Sequence, residues 1–134
     1  EGARQVDMPP PTLLAVTVLT SWTSSKFKSE LKIEQSINER VEHLTELTFA
    51  AGIGGCVCSP CETKKLRVKF PEPFELVTPG IRFSESSLDD QKRVLSPSEA
   101  IRAGASKLVL GRIITKSINP SEAFQRVCNE LNLI

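Results

Sequence analysis

Short apolar runs alternate with helix-start signals along this chain of 134 residues, and that alternation limits what it can fold into. Leu13-Leu14-Ala15-Val16-Thr17-Val18-Leu19 is a nearly unbroken apolar run rich in β-branched residues. Such a run reads as a strand covered on both faces, the habit of parallel sheets. Pro9-Pro10-Pro11 cannot sit inside a helix, so residues 1–12 are expected to form an irregular linker. Further strands are expected at residues 53–58, 74–78 and 107–110. Between them lie helical stretches. Ile37, Val41, Leu44 and Leu47 recur near helical spacing, with Ser36 as a capping residue and Gly52 as a stop. Residues 60–69 suit a helix with Pro60 near its first position. Ser96-Pro97-Ser98-Glu99 joins a capping serine, a first-turn proline and a glutamate three residues past the cap, so a helix over 97–103 is expected to end at Gly104. Asn119-Pro120-Ser121-Glu122 repeats that chemistry and opens a last helix with Ala123, Val127, Leu131 and Ile134 on one face. The polar stretch 23–34 carries no assigned element, and the segment from Arg82 to about Arg93 reads as a long loop.

Strand followed by helix, four times over, implies a parallel sheet with helical crossovers. The fold class is therefore α/β, with (β/α) units amounting to half of a TIM (β/α)8 barrel or to a small open sheet. The organisation expected is a single partial-barrel domain over 1–134, with four βα units across 13–134. Half a barrel leaves its first and last strands without neighbours and turns an apolar sheet face to water. Such edges favour association, so a homo-oligomer or a complementary half-barrel is the expected partner. The first residue is Glu1 and the single methionine is Met8, so a preceding segment or a remnant of a longer gene is expected.

Composition excludes several classes. Hydrophobic residues make up 40% and the net charge is +1, so neither nucleic acid nor membrane is expected as a partner. Residues 1–7 are polar with no cleavage pattern after them, and four cysteines then fit a reduced, cytoplasmic chain. Cys56-x-Cys58-x-x-Cys61 resembles a metal motif, but a structural zinc needs four ligands. Cys128 lies far off on the last helix and His43 is the single histidine, so no metal is expected. Cys56 and Cys58 alternate along a strand and are expected to face one side as small apolar residues. His43 reads as a solvated helix histidine, Trp22 as packing below a loop, and Lys64-Lys65-x-Arg67 as a solvated helix face.

In βα-repeat folds, ligands bind at the C-terminal ends of the strands. Thr20-Ser21, Ser59-Pro60, Thr78-Pro79-Gly80-Ile81-Arg82 and Gly111-Arg112 occupy those ends here. The last two are the informative ones. Glycine lets backbone approach an anion, and arginine offers a planar fork of donors. Gln91, in the loop after the third strand, is placed to reach the same anion as a neutral donor.

The segments Leu14-Ala15-Val16-Thr17-Val18-Leu19-Thr20-Ser21, Val57-Cys58-Ser59-Pro60, Leu76-Val77-Thr78-Pro79-Gly80-Ile81-Arg82, Asp90-Gln91-Lys92-Arg93 and Leu108-Val109-Leu110-Gly111-Arg112 together resemble the latter half of the bacterial orotidine 5′-phosphate decarboxylase family. The resemblance covers the chain from Pro11 onward, and residues before Pro11 are expected to match the family poorly. It implies the C-terminal half of a barrel and a cofactor-free lyase that converts orotidine monophosphate to uridine monophosphate and carbon dioxide. It also implies site residues. Thr20 would lie by the base of a nucleotide monophosphate, and Arg82, Gln91, Gly111 and Arg112 would hold its 5′-phosphate region. The loop carrying Gln91 would close over the substrate. The family's catalytic lysine and aspartates, in an Asp-x-Lys-x-x-Asp or Asp-x-Lys-x-x-x-Asp pattern, belong to the preceding half. Asp90-x-Lys92 has no second aspartate at that spacing, so no catalytic residue is assigned and the chain is expected to be inactive alone. The alternative is a degenerate, non-catalytic half-barrel that binds a sugar phosphate or a protein partner. Phe83 and Ile113 stand where the family commonly has proline, and neither change removes a donor side chain.

Overall fold

A computed structural model describes residues 2–83 and 94–132. Four strands form one parallel sheet in chain order: β1 (Leu14–Val16), β2 (Gly55–Val57), β3 (Glu75–Thr78) and β4 (Lys107–Leu108). The helices are α1 (Gly2–Gln5), α2 (Ser24–Leu31), α3 (Ile37–Ala50), α4 (Pro60–Lys69), α5 (Pro97–Arg102), α6 (Arg112–Thr115) and α7 (Pro120–Glu130). This is the expected α/β arrangement of βα units. No helix among the described residues is long and apolar enough to cross a membrane.

Helix starts follow from local chemistry. Ser36, Ser59 and Ser96 each form a reciprocal box with the glutamate three residues on. In the last of these, the Ser96 N–H donates to Glu99 Oε2 at 2.8 Å and the Glu99 N–H donates to Ser96 Oγ at 3.3 Å. Asn119 caps α7 by accepting from the Glu122 N–H at 3.2 Å. Each such cap contributes about 0.5–2 kcal/mol. Prolines 60, 97 and 120 sit in first turns, where a missing N–H costs nothing.

Strand register sorts the side chains into two faces. Ala15, Cys56 and Leu76 form one row, and Val16, Val57, Val77 and Lys107 form the next. Successive rows point to opposite sides of a sheet. The first row faces the helices, where Cys56, Cys58 and Leu76 pack with Phe27, Ile37, Val41, Leu66, Phe70 and Phe74. A smaller cluster of Ile81, Ala100 and Ala105, with Leu95, Leu108, Leu110 and Ile113 against it, supports the other end of the sheet. Burying a side chain of leucine or phenylalanine size contributes roughly 1.5–3 kcal/mol, so the first cluster dominates stability. Gly55 is required by the sheet itself: a Cβ there would lie 2.4 Å from the Glu75 carbonyl oxygen.

Three expectations are corrected. The first strand was expected to be covered on both faces, but Leu13 is 65% and Val16 60% exposed. β1 is an edge strand, and on its face away from the main core Leu14 is 42% and Val16 60% exposed, although Val77 further along that row is buried. It is also shorter than residues 13–19, although the Thr17 N–H and Oγ1 continue the pairing by both donating to the Val57 carbonyl. Second, the unassigned stretch 23–34 contains α2, capped by Thr23 and anchored by buried Phe27; Gly2–Gln5 likewise forms a helical turn within the stretch expected to be linker. Third, Arg67 is not part of a solvated face. Its guanidinium donates to the carbonyls of Gly104 (3.0 Å), Phe70 (3.0 Å) and Phe74 (2.7 Å) and to Ser106 Oγ (2.8 Å). Lys64 and Lys65 beside it are exposed, and Lys65 pairs with Glu42 on α3.

Candidate functional site

The C-terminal ends of β3 and β4 sit side by side because these strands pair, Val77 with Lys107 and Thr78 with Leu108. The chain leaves β3 through Pro79-Gly80, where Gly80 adopts φ +82°, a left-handed conformation that favours glycine. A parallel bridge between Ile81 and Leu95, with the Arg82 N–H donating to the Leu95 carbonyl at 3.1 Å, then ties together the two flanks of the following segment. Arg82 is thereby fixed at the mouth of β3, half-buried, with Nη1 donating to the Ile81 carbonyl at 2.7 Å. Beyond β4, Gly111 is the N-cap residue of α6 and Arg112 is its first residue.

Arg82 and Arg112 line one groove of about 560 Å³, together with Phe83, Ile113, Lys116, Asn119, Glu122 and Arg126. Burial, and then the charge of Arg112, lower the pKa of Arg82 from its ordinary value. Two like charges that sense each other across a groove gain from an anion placed between them. Among the described residues, Glu122 is the one carboxylate that lines the groove, and it lies at the α7 cap, 3.3 Å from Asn119 Nδ2. The two arginines expected from the sequence are therefore brought together.

Thr20 is exposed and lines a different cavity of about 280 Å³, with Val16, Val18, Leu19, Ser21, Val57, Cys58 and Pro79. That cavity is mostly apolar and opens at the mouths of β1 and β2. A Cβ at Gly111 would meet nothing within 4 Å among the described residues, so none of them demands glycine there. Gln91 and Asp90-x-Lys92 lie outside the described residues, as does Ile134. Reading the sequence missed Lys116 and Arg126, which line the groove from α6 and α7. A cationic residue on a helix face gives no signal of its own. It also missed what Phe83 does: its ring lies under Arg126, with Cζ 4.1 Å from the centroid. Ile113 packs against the smaller core cluster.

Two of the four cysteines behave as packing groups. Cys56 and Cys58 are buried on the helix-facing side, with sulfur contacts to Thr45 Oγ1 (3.8 Å) and Thr63 Oγ1 (3.9 Å). The Cys56 thiol beside it and burial raise the Cys58 pKa, which keeps that sulfur protonated. Cys61 is exposed. No group of three or more His, Cys, Asp or Glu among the described residues is placed to hold a metal ion. His43 is half-exposed and 4.0 Å from Glu46 on the same helix, and Trp22 packs edge-on to Phe27.

Residues 1–127 match the family model described as Orotidine 5′-phosphate decarboxylase / HUMPS. The chain belongs to that family. The match begins at residue 1, which corrects the expectation that the segment before Pro11 lies outside the resemblance. The orotidine 5′-phosphate decarboxylase of Prochlorococcus marinus (strain MIT 9211) is 63% identical over 131 residues, covering 98% of this chain and 54% of that protein. The enzyme of the same name from Parasynechococcus marenigrum (strain WH8102) is 60% identical over 131 residues, again 98% of this chain and 53% of the relative. Among solved structures, the orotidine 5′-phosphate decarboxylase from Lactobacillus acidophilus superposes with a TM-score of 0.76 at 33% identity, covering 93% of this chain and 53% of that one. The chain thus spans about half the length of the relatives it matches.

Proposed function

We propose that this chain is the phosphate-gripping half of an orotidine 5′-phosphate decarboxylase barrel and does not decarboxylate by itself. Arg82 and Arg112 bind the 5′-phosphate, Gln91 covers it, and Gly111 lets backbone approach it. Thr20 stands at the cavity that receives the base. The observation that carries this reading is the shared groove: guanidiniums from the ends of two paired strands line one space. A charge-assisted hydrogen bond to such an anion contributes about 1.5–3 kcal/mol. Two separate cavities suit a nucleotide, whose ribose keeps base and phosphate apart. The open space at Gly111 suits a ligand atom better than any packing role.

Chemistry would need an ammonium group to protonate the carbanion and carboxylates to hold that ammonium. No Asp-x-Lys-x-x-Asp or Asp-x-Lys-x-x-x-Asp pattern occurs in these 134 residues. A complementary set of βα units, from a preceding segment, a separate chain or a second copy, would bring its own side chains and cover the open edge of β1. Exposed Leu14 and Val16 on the uncovered face favour such a partner. They equally serve the alternative, a non-catalytic half-barrel that binds a sugar phosphate or a protein.

Calorimetric titration with uridine monophosphate, on wild type and Arg112→Ala, tests the site. Binding should weaken at least about tenfold in the variant, the least that losing one charge-assisted bond implies. Equal affinity would remove the phosphate role. Incubation of the chain with orotidine monophosphate should release no uridine monophosphate, and turnover would refute the claim that the proton donor is missing.

A further inference from the structure

α7 is tied to the segments that flank the β3 mouth at two points, one helical turn apart. The first is Arg126, whose Cζ lies 4.1 Å from the centre of the Phe83 ring, next to Arg82. The second is Glu130, whose Oε1 accepts the Ser98 N–H at 3.0 Å across 32 residues of chain. Residues 126 and 130 are four apart and so share one helix face. A carboxylate in the last turn of a helix works against the helix dipole, so α7 itself does not account for Glu130. Its partners do. Burial raises the Glu130 pKa, but the Ser98 N–H, the hydroxyls of Ser98 and Ser96 and the charge of Arg126 outweigh burial and lower it. Ser96 is the N-cap of α5 and Ser98 stands in its first turn, where backbone N–H groups have no partner within their own helix.

The start of α5 is also where Arg82 is held. Leu95, the residue before that cap, bridges Ile81 and accepts the Arg82 N–H at 3.1 Å. Glu130 therefore reaches Arg82 through three short links: Ser98, the α5 cap and Leu95. Earlier turns of α7 line the groove through Glu122, Ala123 and Arg126, whereas Glu130 does not line it. α7 buries only Ala123 and Val127 among its eleven residues. So small an apolar face leaves the placement of the helix to its polar contacts. We propose that Glu130 is a positioning residue of the phosphate groove: it fixes α7 against the start of α5, and so sets the spacing between Arg82 and the wall that α7 supplies. This rests on the reading of Arg82 and Arg112 as the phosphate grip.

Uridine monophosphate is titrated calorimetrically into wild type, Glu130→Ala, Glu130→Gln and Glu130→Asp, each well below its melting transition. Glu130→Ala should bind about fivefold more weakly, the scale on which a residue outside a site modulates it. Glu130→Gln should stay within about twofold of wild type, because its amide oxygen still accepts the Ser98 N–H. Glu130→Asp keeps the charge but falls one methylene short. It should weaken binding about as much as alanine does, and it carries the test if Glu130→Ala fails to fold. Ser36→Ala is the control: it loses the α3 cap and should lower the melting temperature without changing affinity. Glu130→Ala that melts earlier yet binds like wild type has lost a structural contact alone, which overturns the positioning role. Glutamine as weak as alanine, or aspartate as tight as wild type, makes charge rather than reach the cause and overturns it as well. Wild type that fails to bind uridine monophosphate, or Arg112→Ala that binds it equally, overturns the phosphate reading itself.

Discussion

Replacing Arg67 with alanine tests what joins α4 to the far side of the sheet. The guanidinium satisfies three carbonyls, those of Phe70, Phe74 and Gly104, and bonds Ser106 Oγ, which in turn accepts the Leu76 N–H at 3.0 Å. Alanine leaves all three carbonyls without this donor and loosens the serine that helps to pair β3. Hydrogen bonds to charged groups contribute about 1.5–3 kcal/mol each. The side chain is half-exposed, so water replaces part of that, and bonds from one group do not add in full. The expected loss is about 3 kcal/mol, against a typical total of about 5–15 kcal/mol. For a chain of this size that lowers the melting temperature by roughly 10–15 °C. Urea unfolding followed by circular dichroism, at one protein concentration, reads the shift. Arg67→Lys should recover less than half, since a single ammonium cannot span the four acceptors of a planar fork. Lys64→Ala, one turn away and exposed, should stay within about 0.5 kcal/mol of wild type. A loss below about 1 kcal/mol in Arg67→Ala, or full rescue by lysine, would refute this account.

Lys65 and Lys69 hold the Glu42 carboxyl down to about 2, from an ordinary 4.5. Its folded pKa is depressed, so the associated stability is present above the ordinary value and lost as pH falls from there through about 2. Carbon-13 NMR should show Glu42 titrating near that low value, and substituting both lysines with glutamine should return it towards 4.5. Gly55→Val should prevent β2 from pairing with β3, because its Cβ would lie 2.4 Å from the Glu75 oxygen; a folded variant with wild-type circular dichroism would contradict the register. Ser96→Ala should cost about 0.5–2 kcal/mol in urea unfolding, through loss of the α5 cap. Leu14→Lys with Val16→Lys should reduce self-association in size-exclusion chromatography, since both side chains stand on the uncovered face; unchanged elution of an oligomer would place its interface elsewhere.

The parts of the fold that were legible are those fixed by neighbours in the sequence. Ser96 and Asn119 announce their helices because cap, proline and glutamate lie within four residues, and the structure forms those caps. α2 was missed because its burial rests on Phe27 alone, which leaves no apolar stripe to read. β1 was misjudged for a different reason. An apolar run shows that a strand prefers cover, but not which of its faces the rest of the chain supplies. Arg67 was misread because a guanidinium bonded to four acceptors and one in water look alike in a row of letters. The carbonyls that capture it come from residues 70, 74 and 104, and the fold alone gathers them.

The same distinction divides the site. Arg82 and Arg112 were visible because each stands a few residues past a strand end, a local feature with a known position in βα folds. Their shared groove follows from the pairing of β3 with β4. Lys116 and Arg126 were not visible as lining residues, since they come to the groove from the end of α6 and from α7. Phe83 joins the two halves of the argument. A proline at that position would shape the loop through its own backbone and offer no aromatic face. Phenylalanine leaves the backbone freer but presents a ring that Arg126 covers at 4.1 Å. The order that proline would have supplied locally is here supplied across the groove, by a contact that also sets a third guanidinium beside Arg82. A departure from the family pattern, which in the sequence only left the donor side chains in place, therefore sets Arg126 beside Arg82 in the groove.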